Sequence, residues 1–292
     1  MPKNLISGRG IIPRLHLIPG TQIEIIHEVE LGRIKHALFD FDGTVSVLRE
    51  GWQGIMAPVM VEMICGDTTP TPEIIEEVNQ VIDETTGIQT IFQMEKLVEM
   101  VRAHGLVPPD KMLDAYGYKD IYNDRLMVPV NERIARLESG EMTLEQATLR
   151  GSLDFVKALR DRGVCLYVFS GTDRDDVRNE AAKVGAAPFF NEIWGAVRNV
   201  AEYSKEKVLR EIIEQHHLHG AEVMVVGDGP VEIRNGKEFG CITLGVASDE
   251  AAGRGWNEEK RNRLIRAGAD IMIPDFGETQ ALINYLFAAS VR

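Results

Sequence analysis

Cysteine is scarce in this chain: Cys65, Cys165 and Cys241 are the three among 292 residues. They are too few and too scattered for a disulfide framework, and none sits in a Cys-x-x-Cys pair that would suit a metal. Cys165 and Cys241 lie beside apolar runs, so the expected role is that of inert, reduced thiols, which behave mostly as small buried hydrophobes. Basic charge is also in deficit, with 32 Lys and Arg against 45 Asp and Glu and a net charge of −13. That argues against a surface that tracks nucleic-acid phosphates or an anionic membrane, because both need clustered basic residues. A local basic pocket for one small phosphate is still allowed. No apolar run approaches the roughly 20 residues of a membrane span. Gly8, Arg9, Gly10, Pro13 and Arg14 break up the first residues, which therefore lack a compact secretory apolar stretch. The cytoplasm is the expected location. There is no internal repeat or low-complexity segment. What is present is ordinary for a soluble globular protein, at 44% hydrophobic and 26% charged residues. The length suits one large domain or two smaller ones.

Three patterns divide the chain. Residues 1–20 carry glycines and prolines without periodicity and read as an irregular arm. Residues 22–29 alternate imperfectly and read as a strand, and Leu31-Gly32-Arg33 reads as a turn into a second strand at 34–41. Together they suggest a hairpin that adds an antiparallel strand. Residues 52–150 change character. Ile55, Val59 and Met63, and then Ile91, Met94, Leu97, Val98 and Val101, recur at helical spacing. Thr71 before Pro72-Glu73, and Thr143, suit N-caps. This region reads as several helices with almost no strand. From 152 onward, helices at 152–162, 173–184, 205–217 and 277–288 alternate with strands at 164–169, 192–197, 222–227, 241–246 and 270–273. Apolar strands alternating with helices imply an α/β fold whose parallel sheet is covered on both faces. Ligands of such sheets sit at the carboxyl ends of the strands.

The chemistry-bearing residues fall just past those strands. The first strand ends in Asp40-Phe41-Asp42-Gly43-Thr44. Its two carboxylates are two residues apart and so share a side of the backbone. A turn at Gly43 then presents a nucleophilic carboxylate, a second carboxyl group and a free amide to one small volume, which suits phosphoryl transfer through an aspartyl phosphate. Ser170-Gly171-Thr172 ends a second strand, Gly227-Asp228 with Glu232 ends a third, and Lys205 opens the helix between them. Taken singly each is ordinary: an Asp-Gly turn, a helix cap, a surface lysine with Lys207 as its rival, a loop.

In order and spacing these four motifs resemble the haloacid dehalogenase-like (HAD) hydrolase superfamily over about residues 34–290. The resemblance implies a Rossmann-like parallel core at 34–48 and 150–292, with a helical cap at 49–149 and the first 33 residues as an arm and extra strand outside it. It implies Asp40 as nucleophile and Asp42 as general acid and base. Lys205 becomes the charge partner, and Ser170, Gly171, Gly43 and Thr44 become phosphate contacts. Mg2+ would be held by Asp40, the Asp42 carbonyl and Asp228, with Glu232 orienting metal-bound water or Lys205. The dehalogenase and phosphonatase branches lack an acid at the position of Asp42, so its presence points to phosphate esters, whose alkoxide leaving groups need a proton.

The helical stretch matches the cap of the phosphoglycolate phosphatase and β-phosphoglucomutase branch, with hinges expected at 45–51 and 145–151. Arg49 is the leading specificity residue, since arginine suits carboxylate or phosphate recognition. Glu50, Trp52, Gln89, Tyr116, Lys119 and Arg125 are further candidates, and Thr86 reads as an N-cap. The expected function is a Mg2+-dependent phosphatase acting on a small phosphorylated metabolite such as a sugar phosphate. A phosphomutase is the alternative, and a non-catalytic phosphate-binding module is a weaker one. The sequence leaves homo-oligomerisation open.

Overall fold

A computed structural model describes residues 16–199 and 202–288. Residues 1–15, most of the expected irregular arm, lie outside the described residues. The eight strands are β1 (His16–Leu17), β2 (Glu24–Ile25), β3 (His36–Phe39), β4 (Cys165–Asp173), β5 (Glu192–Ala196), β6 (Val223–Gly227), β7 (Ile242–Val246) and β8 (Ile271–Ile273). They form one sheet in the order β1-β2-β8-β7-β6-β3-β4-β5, parallel from β8 to β5.

Burial explains why β3 sits in the middle. Its four residues are all buried, with Ala37 and Phe39 in one apolar cluster and Leu38 in another. That is the two-residue alternation of a strand covered on both faces. Phe39 and Leu38 each contribute about 1.5–3 kcal/mol by leaving water. Helix α6 (Ser152–Arg160) supplies Phe155 to one face, edge-on to Phe39, and α8 (Lys205–Gln215) supplies Leu209 and Ile212 to the other. Helices α7 (Arg174–Lys183), α9 (Pro230–Glu238), α10 (Glu258–Ala267) and α11 (Thr279–Leu286) complete the covering layers.

The expected hairpin between residues 22–29 and 34–41 does not form. Strand β3 has β4 and β6 on its two sides and no free edge. Strand β2 instead pairs antiparallel with β8 and with β1, so the N-terminal hairpin is β1–β2, and it covers the far edge of the sheet. A covered edge offers fewer unpaired backbone groups to another chain.

Between β3 and β4 the chain inserts α1 (Gln53–Cys65), α2 (Pro72–Glu84), α3 (Thr90–His104), α4 (Ala115–Ser139) and the short α5 (Leu144–Ala147). Thr71 caps α2 by accepting from the Ile74 amide, and Thr143 forms a capping box with Gln146. Thr86 caps nothing: its hydroxyl donates back to the Ile82 carbonyl at 2.9 Å, and Gln89 holds the N-cap position of α3. The two connections to the insertion run side by side. The Val47 amide donates to Ala147 O at 3.1 Å and the Leu149 amide to Val45 O at 3.0 Å.

The insertion is clasped against the sheet's carboxyl edge and against α7. Lys119 pairs with Asp173 at 2.5 Å, Lys183 pairs with Glu138, and the Tyr116 hydroxyl donates to Arg198 O at 2.5 Å. The loop from Thr86 to Ile88 sits deeper still. A Cβ on Gly87 (φ +92°) would lie 3.1 Å from Glu232 Oε2, and one on Gly171 would lie 2.7 Å from Ile88 O.

Candidate active site

The strand order reverses around β3, whose neighbours β4 and β6 leave in opposite directions along the chain. A crevice opens at such a switch point, outside the carboxyl ends of the strands. Asp40 and Asp42 follow β3, Ser170, Gly171 and Thr172 end β4, and Asp228 follows β6. All six line one cavity of about 90 Å3, together with Lys205 and, from the insertion side, Arg49, Trp52, Thr86, Gln93, Tyr122 and Leu126.

The two carboxylates of β3 have different surroundings. Asp40 Oδ2 accepts from Lys205 Nζ at 2.7 Å, and Oδ1 accepts from the Phe41 amide at 2.8 Å. Burial pushes the Asp40 carboxyl up and the Lys205 charge draws it back. Asp42 Oδ2 accepts from Thr172 Oγ1 at 2.8 Å and lies 3.5 Å from Ser170 Oγ, while its buried Oδ1 has no hydrogen-bond partner. Burial raises Asp42 to about 6, against the opposing charge of Arg49. A carboxyl that titrates there has a proton to give and to take near neutrality.

Lys205 is placed by helix α8, whose N-cap Ser204 accepts from the Lys207 amide at 3.0 Å. With 5% of its side chain exposed, Lys205 also donates to Glu232 Oε2 at 3.0 Å. Burial disfavours its ammonium form, but Asp40 and Glu232 outweigh that and hold it charged. Its rival Lys207 is turned toward the Glu202 carbonyl, away from the cavity. Glu232 Oε1 accepts from the Gly229 amide at 2.6 Å, so both of its oxygens are engaged, one of them on Lys205. Burial raises Glu232 to about 8, and Lys205 draws it down.

Carboxylate oxygens of Asp40, Asp228 and Glu232 lie within 4.8 Å of one another. Hard oxygen donors of this kind suit a small divalent cation that keeps most of its waters. Asp40 and Asp228 line the cavity and the fully buried Glu232 does not, so these two are the better donors.

The structure moves three expectations. Gly43 and Thr44, read as phosphate contacts, do not line the cavity. The Gly43 amide, expected to be free, donates to Ser46 O at 2.9 Å because the turn closes on itself. Both residues lie against Asp228 instead. The Thr44 hydroxyl lies 3.4 Å from Asp228 Oδ1, and a Cβ on Gly43 (φ +71°) would lie 2.5 Å from Asp228 Oδ2. Arg49 lines the cavity, but its Nε and Nη2 donate to Glu180 at 3.0 and 2.6 Å. Among the other cap candidates, Trp52 lines the cavity, whereas Glu50 pairs with Arg133 and Arg125 pairs with Glu62 at the surface. Gln89 donates to Tyr203 O at 2.8 Å, and the Tyr203 hydroxyl donates to Ser170 O at 2.6 Å, so this chain of contacts supports the end of β4.

Sequence reasoning named Thr172 without a role of its own and passed over Glu180, Glu250 and Lys260. Thr172 was legible, since it lies two residues past Ser170 on an extended strand and shares its side. Asp176 and Glu180 are four apart on α7, a helical acid pair that shares a face. Lys260 donates to Asp228 Oδ2 at 2.8 Å and to Glu250 Oε1 at 2.7 Å. No local pattern announces that contact between residues 32 positions apart.

Comparison with known proteins points the same way. A family model described as haloacid dehalogenase-like hydrolase matches residues 34–240. A phosphoglycolate phosphatase from Synechococcus elongatus is 23% identical over 123 residues, 42% of this chain and 53% of that protein. The chain thus matches about half the length of that relative. Among solved structures, one described as a predicted phosphoglycolate phosphatase from Haemophilus somnus aligns with a TM-score of 0.57 at 15% identity, covering 86% of this chain and 98% of that one. A β-phosphoglucomutase from Clostridium difficile aligns at 0.57 and 11% identity, covering 84% and 92%. A predicted phosphatase from Clostridium acetobutylicum aligns at 0.56 and 15%, covering 86% and 99%. At these identities the likeness concerns the fold.

Proposed function

The chain belongs to the haloacid dehalogenase-like hydrolase family, and from that premise we propose that it is a Mg2+-dependent phosphatase of small phosphomonoesters. The observation that carries this reading is the unequal setting of Asp40 and Asp42. One carboxylate is held against a buried ammonium, and the other sits against hydroxyls with one bare oxygen. Two carboxyl groups whose surroundings separate their proton affinities divide the roles of nucleophile and acid–base between them.

Asp40 attacks phosphorus, and the ester's P–O bond breaks as the acyl phosphate forms. Asp42 gives its proton to the departing alkoxide. A water then attacks the phosphorus of the aspartyl phosphate, Asp42 takes the water's proton, and Asp40 is released as carboxylate. Ser170 and the Gly171 amide hold phosphoryl oxygens, and Lys205 opposes the charge gathered between them and Asp40. Asp40, Asp228 and the carbonyl of Asp42 would hold Mg2+, which screens the repulsion between carboxylate and phosphate when bound. Glu232 fixes Lys205.

The insertion serves as a cap at 49–149 over a core at 34–48 and 150–292, with 1–33 as an added arm and strand. The paired backbone at Val45–Val47 and Ala147–Leu149 is its hinge. Closure over the crevice excludes water other than the one that reacts.

Release of phosphate from an aryl phosphate tests the reading. It should require Mg2+, cease with a chelator and return when the metal is restored. Metal-independent hydrolysis by pure protein would contradict it.

A further inference from the structure

The leaving-group side of the cavity has one cation, and that cation is already neutralised. Among the described residues two cationic side chains line the cavity, Lys205 and Arg49. Lys205 is held at the nucleophile. Arg49, 7% exposed, donates from Nε and Nη2 to the buried Glu180, and its Nη2 also reaches Asp176 at 3.3 Å. Two carboxylates on one guanidinium leave a local charge of about −1, and Asp42 Oδ1 stands a further 3.9 Å from Nε.

A leaving group with a second carboxylate or phosphate would find no uncompensated cation here. It would have to shed water beside Asp42 without gaining an ion pair, an arrangement that disfavours anions. A leaving group with an ammonium would meet the guanidinium first, because Glu180 and Asp176 lie behind Arg49 and do not themselves line the cavity. What faces the space instead is neutral. Tyr122 and Thr90 line it, and neither hydroxyl is hydrogen-bonded to another described residue. Burial keeps the Tyr122 hydroxyl protonated and able to donate. Trp52 and Leu126 supply apolar wall. The space is short. Roughly 10–15 Å3 holds one water on this measure, so about 90 Å3 admits a phosphoryl group and a few heavy atoms beyond it.

We propose that the preferred substrate is the monophosphate of a short, uncharged, hydroxyl-bearing alcohol, and that Glu180 and Asp176 act as positioning residues that enforce this choice by holding Arg49. The proposal rests on the phosphatase reading above and names the substrate class of that site.

Steady-state phosphate release tests it with four esters: glycerol phosphate, phosphoglycolate, phosphoethanolamine and an aryl phosphate. The wild-type protein should show kcat/KM for glycerol phosphate at least about tenfold above those for both charged alkyl esters. In Glu180→Gln the ratio of phosphoglycolate to glycerol phosphate should rise by about tenfold, chiefly through a lower KM for phosphoglycolate. Asp176→Asn, at a partly exposed site and so gentler on folding, should move the ratio the same way by less. Wild-type preference for either charged ester, or no preference among the three, overturns the substrate class while aryl phosphate hydrolysis leaves the phosphatase reading standing. A ratio unmoved in both variants overturns the role of Glu180 and Asp176. Hydrolysis of none of the four esters overturns the phosphatase reading and this proposal together.

Discussion

Lys205 Nζ lies 2.7 Å from Asp40 Oδ2, closing a contact between residues 165 positions apart in the sequence. Both side chains are nearly inaccessible, at 5% and 9% exposure, and Glu232 on the other side of the ammonium is fully buried. Removing the lysine leaves two buried carboxylates facing each other. Breaking a buried pair from one side typically costs about 3–5 kcal/mol. Lys205→Met should therefore lose stability on that scale in denaturant unfolding and lower the rate of phosphate release by about 10²–10³-fold. Normal stability in this variant would mean that the pair is not buried as described.

The Thr172 hydroxyl donates to Asp42 Oδ2 at 2.8 Å and so favours the ionised carboxyl. Thr172→Val should reduce kcat/KM by about tenfold, the scale of one hydrogen bond to a charged group. Asp42 must be protonated to act as the acid, so activity should fall as pH rises through about 6. Loss of the donor raises the Asp42 pKa, and this descending limb should move to higher pH in the pH–rate profile.

Gly171 meets the cap. Its substitution by alanine places a Cβ 2.7 Å from the Ile88 carbonyl oxygen, a backbone atom that cannot turn aside. Overpacking of this kind costs about 1–3 kcal/mol, and here the cost falls on the closed arrangement. Gly171→Ala should raise KM more than it lowers kcat, and limited proteolysis should cut the hinge segments faster. An unchanged proteolytic pattern with unchanged KM would show that the loop does not rest on Gly171.

His36 supplies a pH-dependent contribution to stability. Its ring stacks at 5.7 Å from that of Tyr167 and lies 4.5 Å from that of His216. Burial, reinforced by His216 and Lys35, lowers its pKa from 6.5 to about 4. The unfolded chain therefore binds a proton before the folded chain does. The stability that neutral His36 contributes is present above pH 6.5 and is lost as pH falls toward about 4. Chemical denaturation across that window should show a shallower loss for His36→Phe than for the wild-type protein.

Much of this architecture is legible in the residues. The strands at 222–227 and 241–246 coincide with β6 and β7 to within a residue, because short, mostly apolar runs that follow a glycine turn have few other solutions. Asp40, Asp42, Ser170, Lys205 and Asp228 all reach one crevice, because parallel strands bring their carboxyl ends to one edge. The helices α9 and α10 are harder to read. Helix α9 starts in Gly229-Pro230, which locally reads as a loop, and it is helical because Glu232 turns back to cap the Gly229 amide. The pairing of β2 with β8 spans nearly the whole chain and depends on which edge stays open, a property of the assembled sheet. Arg49 illustrates the same limit. Its cation is evident in the sequence, but its neutralisation by Glu180 exists only once α7 is packed beside it.

On the proposed mechanism Asp40 carries the phosphoryl group. Rapid mixing of protein with substrate, acid quench and borohydride trapping of the acyl phosphate, followed by peptide mass spectrometry, identifies that residue. Asp40 should be reduced to homoserine, in a reaction dependent on substrate and absent in Asp40→Asn, which should also release no phosphate. Trapping at another residue, or hydrolysis at the wild-type rate by Asp40→Asn, would contradict this mechanism.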